Sequence, residues 1–126
     1  GIDTHYAGIP FDAVAFVPLH PRKERERSYN QSQLLAAALA HRRGWPLLRR
    51  GLRRTRDTES QTRLSAPDRR RNMRGAFATR DPDWILNRIF LLVDDVLTTG
   101  ATVDECARVL KEAGAAGVYV VSIARG

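Results

Sequence analysis

Three short apolar runs, rich in β-branched residues, constrain the fold of this chain more than any other feature. They are residues 13–18 (AVAFVP), 88–93 (RIFLLV) and 117–123 (GVYVVSI). A continuous apolar run without polar alternation is typical of a strand covered on both faces, as in a parallel sheet. Apolar residues at 103–110 follow helical spacing, and Gly114 is placed to end that helix. The alternation predicts an α/β fold: an open, mostly parallel, Rossmann-like sheet with helices on both faces and right-handed crossovers.

The length of 126 residues suits one domain of this kind, and we expect it over residues 13–126 after a leading segment at 1–12. The single cysteine, Cys106, can form neither an intrachain disulfide nor a multi-cysteine zinc site. It lies on the apolar stripe of its helix, which predicts a core thiol. No run approaches the roughly 18 apolar residues of a membrane span. The lone cysteine and the lack of a signal-peptide pattern at the start of the sequence lead us to expect the cytoplasm.

The stretch after residue 27 predicts the first helix. Ser28 to Gln31 has the S-x-x-Q form of a capping box, the following alanines and leucines extend to Arg43, and Gly44 is placed to end the helix. Residues 45–52 and 75–79 predict two short strands joined by a mobile connection. The residues predicted to face inward on this first helix are Leu34, Leu35, Ala38 and Leu39.

The formal charge of +7 is concentrated in one segment. Residues 42–80 carry thirteen arginines against three acidic side chains, a local balance of +10, whereas residues 81–126 have a balance of −3. Arginine's planar fork suits bidentate contact with phosphate or carboxylate, so a polyanionic partner or substrate is expected. The pattern leaves open whether the arginines at 49, 50, 53, 54 and 56 contact phosphates or form a solvated face.

Residues 91–102 (LLVDDVLTTGAT) form the segment most specific for chemistry. An apolar strand ends in Asp94 and Asp95, at the edge of an α/β sheet where ligands bind. A Thr/Gly loop then enters a helix, whose first N–H groups and dipole favour a phosphate. Carboxylates for sugar hydroxyls beside donors for a phosphate predict a site for a ribose 5-phosphate.

This segment resembles the phosphoribosyl pyrophosphate (PRPP) motif of type I phosphoribosyltransferases. Residues 17–36, 54–78 and 91–125 together are similar to the competence protein F (ComF) family. Members of that family usually carry an N-terminal cysteine zinc module, and we expect this chain to correspond to the family's core without that module.

The resemblance implies a role for each motif. Asp94 and Asp95 would hold the ribose 2′ and 3′ hydroxyls, and would be the catalytic carboxylates. The 5′-phosphate would be wrapped by Thr98, Thr99, Gly100, Ala101 and Thr102. Residues 19–27 would form the pyrophosphate loop and residues 53–74 the flexible basic loop, with contacts from His20, Arg25, Arg27, Gln61, Arg69 and Asn72. Mg²⁺ would arrive with PRPP and need no dedicated protein ligand, although Asp94 and Asp95 could contact it.

The implied function is Mg²⁺-dependent transfer of a phosphoribosyl group from PRPP to an unknown acceptor, with release of pyrophosphate and a family role in competence and DNA uptake. Two alternatives remain open. One is a non-catalytic module of DNA uptake that binds single-stranded DNA or proteins of the competence machinery; the other is a PRPP-sensing regulator. A homodimer is also left open.

Overall fold

The computed structural model of the protein describes residues 8–19, 30–56, 65–97 and 100–125. In chain order the elements are β1 (Ala13–Phe16), α1 (Gln31–Arg43), β2 (Leu52–Arg54), α2 (Ala66–Met73), β3 (Phe77–Thr79), α3 (Pro82–Ile85), β4 (Ile89–Leu97), α4 (Ala101–Glu112) and β5 (Gly117–Arg125). None of the helices in these ranges is long and apolar enough to cross a membrane.

The three apolar runs form a parallel sheet in the order β1-β4-β5. Val14 lies opposite Leu91, and Leu91 lies opposite Tyr119. The central strand β4 extends beyond its apolar run, which ends at residue 93. Its pairing with β5 continues as far as Leu97 opposite Arg125. The prediction of a mostly parallel α/β sheet is confirmed.

The two faces of the sheet pack into separate cores. Alternate residues of a strand point to opposite faces, so an apolar run supplies both cores. One core joins the sheet to α4 and contains Ala13, Ala15, Phe90, Leu92, Cys106 and Leu110. The other joins it to α1 and contains Val14, Phe16, Val93, Ala36 and Ala40. Helices therefore cover both faces, as predicted.

The N-terminal cap of α1 is Asn30, so the predicted capping box starting at Ser28 is wrong. The Asn30 side chain accepts hydrogen bonds from the backbone N–H groups of Ser32 and Gln33 at 3.0 and 3.4 Å. Its Nδ2 also donates to the Val17 carbonyl at 3.2 Å. Asn is as good a cap as Ser, and this one also fixes the start of α1 against the end of β1.

The predicted inward face of α1 is confirmed in part. Leu35 and Leu39 are half-buried and pack against the core, as predicted, whereas Leu34 is 54% exposed and Ala38 is also exposed. The buried positions are Ser32, Ala36 and Ala40. They are spaced by four and carry small side chains, which lets the helix approach the sheet closely. Gly44 ends α1 as predicted, with φ at 73°.

A second, smaller sheet pairs β2 with β3 in antiparallel fashion, with Leu52 opposite Thr79. The strand predicted over residues 75–79 is confirmed as β3. The strand predicted over residues 45–52 is wrong for most of its length, because Leu47 forms only a single parallel bridge to Val14 and of the range only Leu52 belongs to β2. A turn at residues 49–50 then separates Leu47 from β2.

Part of the predicted mobile connection is the helix α2. Its N-terminal cap is Ser65, whose hydroxyl accepts a hydrogen bond from the backbone N–H of Asp68 at 3.3 Å. Proline in the first turn and the acidic Asp68 both suit a helix start. Residues 66–73, which fall within the predicted mobile connection, are therefore helical, and residues 57–64 lie outside the described ranges.

Candidate functional site

Asp94 lies near the carboxyl end of the central strand, directly after the apolar run. It is only 8% exposed, and the Ser32 hydroxyl donates a hydrogen bond to its Oδ1 at 3.5 Å. In the sheet it lies opposite Ser122. Burying a carboxylate removes its hydration, so a buried Asp at this edge needs polar partners. Because ligands of open α/β sheets bind outside the carboxyl ends of the strands, this position indicates a binding site.

Gly100, shortly after the end of β4, is the N-terminal cap of helix α4. Gly100 has φ 81° and ψ −1°, a left-handed conformation that favours glycine. Its carbonyl accepts a hydrogen bond from the Asp104 N–H at 2.8 Å, and no side chain of the described residues caps the helix. The first-turn N–H groups and the positive end of the dipole therefore suit an anion.

The described residues contain part of the predicted site. Gly100, Ala101 and Thr102 lie at the start of α4, and the backbone of Asp95 follows Asp94 in β4. The predicted residues outside the described ranges are Thr98, Thr99, His20, Arg25, Arg27 and Gln61.

Arg69 and Asn72, predicted for the flexible loop, both lie in α2. This helix is attached to α4, because the guanidinium of Arg70 lies 2.7 Å from the Asp104 carboxylate. The backbone carbonyl of Asn72 accepts a hydrogen bond from Arg56. Helix α2 is thus packed beside the helix that starts at the candidate phosphate loop.

Glu105 is a buried acidic residue of α4 that the sequence patterns did not single out. It is 7% exposed, and its Oε2 accepts a hydrogen bond from the Gly75 N–H at 2.9 Å. Arg108 donates to both carboxylate oxygens at 2.8 and 2.6 Å, and this contact lowers the pKa of Glu105 against the opposing effect of burial. The E-x-x-R spacing could have predicted the pair, but not its contact with Gly75.

A cleft of about 470 Å³, which we call the arginine cleft, lies between the end of β1, the start of α1 and the small sheet. No acidic side chain occurs among the described residues that line it. Its cationic residues are Arg49, Arg50, Arg53, Arg54 and Arg80. The sequence showed the first four as neighbours, whereas Arg80 joins them only because β2 pairs with β3.

Cys106 is fully buried in the core, as predicted. Burial raises the pKa of its thiol well above the usual value, which disfavours the nucleophilic thiolate. In the parts of the chain that the structure describes, no three His, Cys, Asp or Glu side chains are grouped so that they could hold a metal ion.

The curated relatives of this chain have names connected with DNA uptake and use. It is 41% identical to "DNA utilization protein YhgH" of Salmonella typhi, over 94% of this chain and 52% of that protein. It is 36% identical to "Competence protein F" of Haemophilus influenzae, over 97% of this chain and 53% of that protein. It is also 32% identical to "Competence protein ComFC" of Bacillus subtilis, over 90% of this chain and 42% of that protein. The chain thus spans about half the length of these relatives, and the resemblance to the ComF family is confirmed.

Two solved structures share the fold at low sequence identity. A structure titled "Structure of the allosteric regulatory enzyme of purine biosynthesis" matches with a TM-score of 0.62 and 22% identity, over 94% of this chain and 23% of that one. Glutamine PRPP amidotransferase from B. subtilis, in complex with ADP and GMP, matches with a TM-score of 0.61 and 23% identity, over 90% of this chain and 22% of that one.

The phosphoribosyl transferase domain model matches residues 32–126, which include all of α1 except its first residue, the whole of β4 and the start of α4. The chain therefore belongs to the phosphoribosyl transferase domain family.

Proposed function

We propose that this chain binds PRPP at the carboxyl edge of β4 and transfers its phosphoribosyl group to an acceptor. The observation that carries the proposal is the nearly buried Asp94, followed closely by the glycine that begins α4. Asp94 would accept hydrogen bonds from ribose hydroxyls, with Asp95 as its predicted partner. Residues 98–102 would donate to the 5′-phosphate.

The proposed transfer requires charged groups that stabilise the transition state, and it requires no nucleophilic side chain. The bond between ribose C1 and the diphosphate oxygen breaks, and its electron pair leaves with the diphosphate. An acceptor atom then forms the new bond to C1 and gives up its proton to solvent. Positive charge builds on the sugar during this step, so a fixed carboxylate such as Asp94 beside the ring stabilises the transition state.

The donor atoms at this edge suit Mg²⁺ that arrives with the substrate. Mg²⁺ prefers oxygen, keeps several waters and binds through substrate phosphates with one or two carboxylates. Asp94 supplies carboxylate oxygens, and Asp95 is the second candidate. The ion would neutralise charge on the diphosphate.

Calorimetric titration of PRPP in the presence of Mg²⁺ tests the proposal. We expect the wild type to bind and the Asp94→Asn/Asp95→Asn variant to bind at least about tenfold more weakly, since a charged hydrogen bond contributes about 1.5–3 kcal/mol. Asp81→Asn/Asp83→Asn is the matched control, because it also removes two negative charges, from exposed residues at α3. Equal affinity of the two variants, or no binding by the wild type, would contradict the proposal.

Turnover needs a separate measurement. Release of pyrophosphate from PRPP, measured with a panel of nucleobases and amines, distinguishes an enzyme from a PRPP-sensing regulator. Release that depends on an acceptor supports transfer. Tight binding without release from any member of the panel favours the regulator.

Binding of single-stranded DNA is the second candidate function. It is favoured by the +10 balance of residues 42–80 and by relatives named for competence and DNA utilization. Such binding releases counterions from the phosphates, so the affinity should fall steeply as salt rises. A fluorescence-anisotropy titration of an oligonucleotide at several salt concentrations would test this; absent or salt-insensitive binding would contradict it.

A further inference from the structure

Ser32 occupies a place on α1 where packing alone requires no hydroxyl. It is the first of three buried positions spaced by four along the helix, and the other two, Ala36 and Ala40, are alanines in the core between α1 and the sheet. Alanine at position 32 would keep the close approach of the helix to the sheet, and alanine also has the higher helix propensity. The hydroxyl of Ser32 therefore needs an explanation other than packing.

This hydroxyl lies beside the Asp94 carboxylate. Ser32 is 4% exposed, and its hydroxyl donates a hydrogen bond to Oδ1 of Asp94, which is itself 8% exposed. The two residues lie on different elements, one in the first turn of α1 and the other in β4. At 3.5 Å the contact is longer than a typical O–H···O hydrogen bond, so we expect it to orient the carboxylate more than to stabilise the fold.

A contact to one oxygen of a carboxylate sets the direction of the other. The two oxygens belong to one planar group, so holding Oδ1 of Asp94 against Ser32 restricts the directions from which the group can meet a ribose hydroxyl. Groups that are already oriented bind with a smaller loss of conformational freedom than groups that a ligand must order. A change of about 1 Å in the position of such a group is enough to impair a site.

The start of α1 supports the Ser32 side chain at a fixed place. The Asn30 side chain accepts a hydrogen bond from the Ser32 N–H at 3.0 Å and donates one to the Val17 carbonyl, just after β1, at 3.2 Å. The Ser32 backbone is thus attached to the end of β1, while its hydroxyl meets a residue of β4. The first turn of a helix is also the positive end of its dipole, which favours an ionised carboxylate beside it.

We propose that Ser32 is a positioning residue of the sugar site, whose hydroxyl orients the Asp94 carboxylate toward the ribose hydroxyls. The assignment rests on the proposed binding of PRPP. It adds a residue of α1 to a site that otherwise consists of β4 and the loop that leads into α4.

Ser32→Ala removes the hydroxyl and keeps a small side chain. We expect it to bind PRPP, in the presence of Mg²⁺, about three- to tenfold more weakly than the wild type, as for the loss of one hydrogen bond. Ser32→Cys has a similar shape but only a weak donor, and its affinity should be close to that of Ser32→Ala. Gln31→Ala is the matched control, because it places alanine at the neighbouring, exposed position of the same turn, and it should change the affinity less than about twofold. Calorimetry measures the affinities, and urea denaturation checks that each variant is folded.

A double-mutant cycle with Asp94→Ala separates positioning from a general defect in structure. In the Asp94→Ala protein no carboxylate remains at this position to be oriented, whereas Asp95 and residues 98–102 are unchanged. Adding Ser32→Ala should therefore weaken PRPP binding by less than about a further twofold. A merely structural role of Ser32 would lower the affinity by the same factor in both backgrounds.

Two results would overturn the assignment and leave the proposed function intact. The first is PRPP affinity of both Ser32 variants equal to that of the Gln31→Ala control. The second is the same loss on Ser32→Ala with and without the Asp94 carboxylate. No binding of PRPP by the wild type would instead contradict the proposed function, and the assignment of Ser32 with it.

Discussion

Glu105 of α4 accepts a hydrogen bond from the backbone N–H of Gly75 at 2.9 Å, so a buried carboxylate joins the helix of the candidate phosphate loop to the turn after α2. Gly75 has φ at 75°, and its carbonyl accepts a hydrogen bond from the Thr55 hydroxyl at 2.8 Å. The chain positions at 55 and 75, within the basic segment, are thus joined to each other and to α4. Glu105 and the Arg70–Asp104 ion pair therefore both attach this part of the chain to α4.

Replacing Glu105 by glutamine keeps the side-chain size but removes the charge that Arg108 and the Gly75 N–H both meet. We expect the free energy of unfolding to fall by about 1–3 kcal/mol, the range for hydrogen bonds to a buried charged group. Urea denaturation measures this change. Glu112→Gln is the control, because Glu112 contacts the same Arg108 with a side chain that is 68% exposed. The Glu112→Gln variant should lose no more than about 1 kcal/mol of unfolding free energy. Equal losses for the two variants would contradict the special role of Glu105.

The same carboxylate predicts a dependence of stability on pH. Its pKa in the folded protein lies below the usual 4.5, chiefly because Arg108 donates hydrogen bonds to it. A lowered folded pKa stabilises the fold above the unfolded value, and this contribution is lost as the pH falls through the folded value. The difference in unfolding free energy between the wild type and Glu105→Gln should therefore be largest near neutral pH and shrink below about pH 4.5. A difference that stays constant into the acid range would contradict this account.

The parallel sheet could be predicted from sequence because its strands are covered on both faces and so are apolar throughout. The inward face of α1 could be predicted only at Leu35 and Leu39, since Ser32, Ala36 and Ala40 lie against the sheet because they are small, and hydrophobic spacing does not reveal this. The Asp94 segment, like the parallel sheet, could be predicted because its motif is contiguous in the sequence. The contact between Glu105 and Gly75 joins positions 30 residues apart, and only the packing of α2 on α4 brings them together.

The cap of α1 provides a direct test of the corrected helix start. Asn30→Ala removes the acceptor for two backbone N–H groups and the donor to the Val17 carbonyl, so we expect a loss of about 1–2 kcal/mol in unfolding free energy. Ser28→Ala should have little effect, because Asn30 is the cap. Thermal and urea denaturation of both variants check this, and the opposite ranking would restore the capping box.

Alanine variants of two left-handed glycines distinguish the effect of backbone strain from an effect on PRPP binding. Gly100 and Gly44 have φ values of 81° and 73°; Gly100 caps the N-terminus of α4 and Gly44 caps the C-terminus of α1. Alanine at either position must adopt a conformation that disfavours L-residues by about 1–2 kcal/mol, so both variants should lose comparable stability. Only Gly100→Ala changes the backbone proposed to meet the 5′-phosphate, and we expect it alone to weaken PRPP binding, by about tenfold or more. Calorimetry on the two folded variants measures this, and equal PRPP affinities would show that the start of α4 does not bind the phosphate.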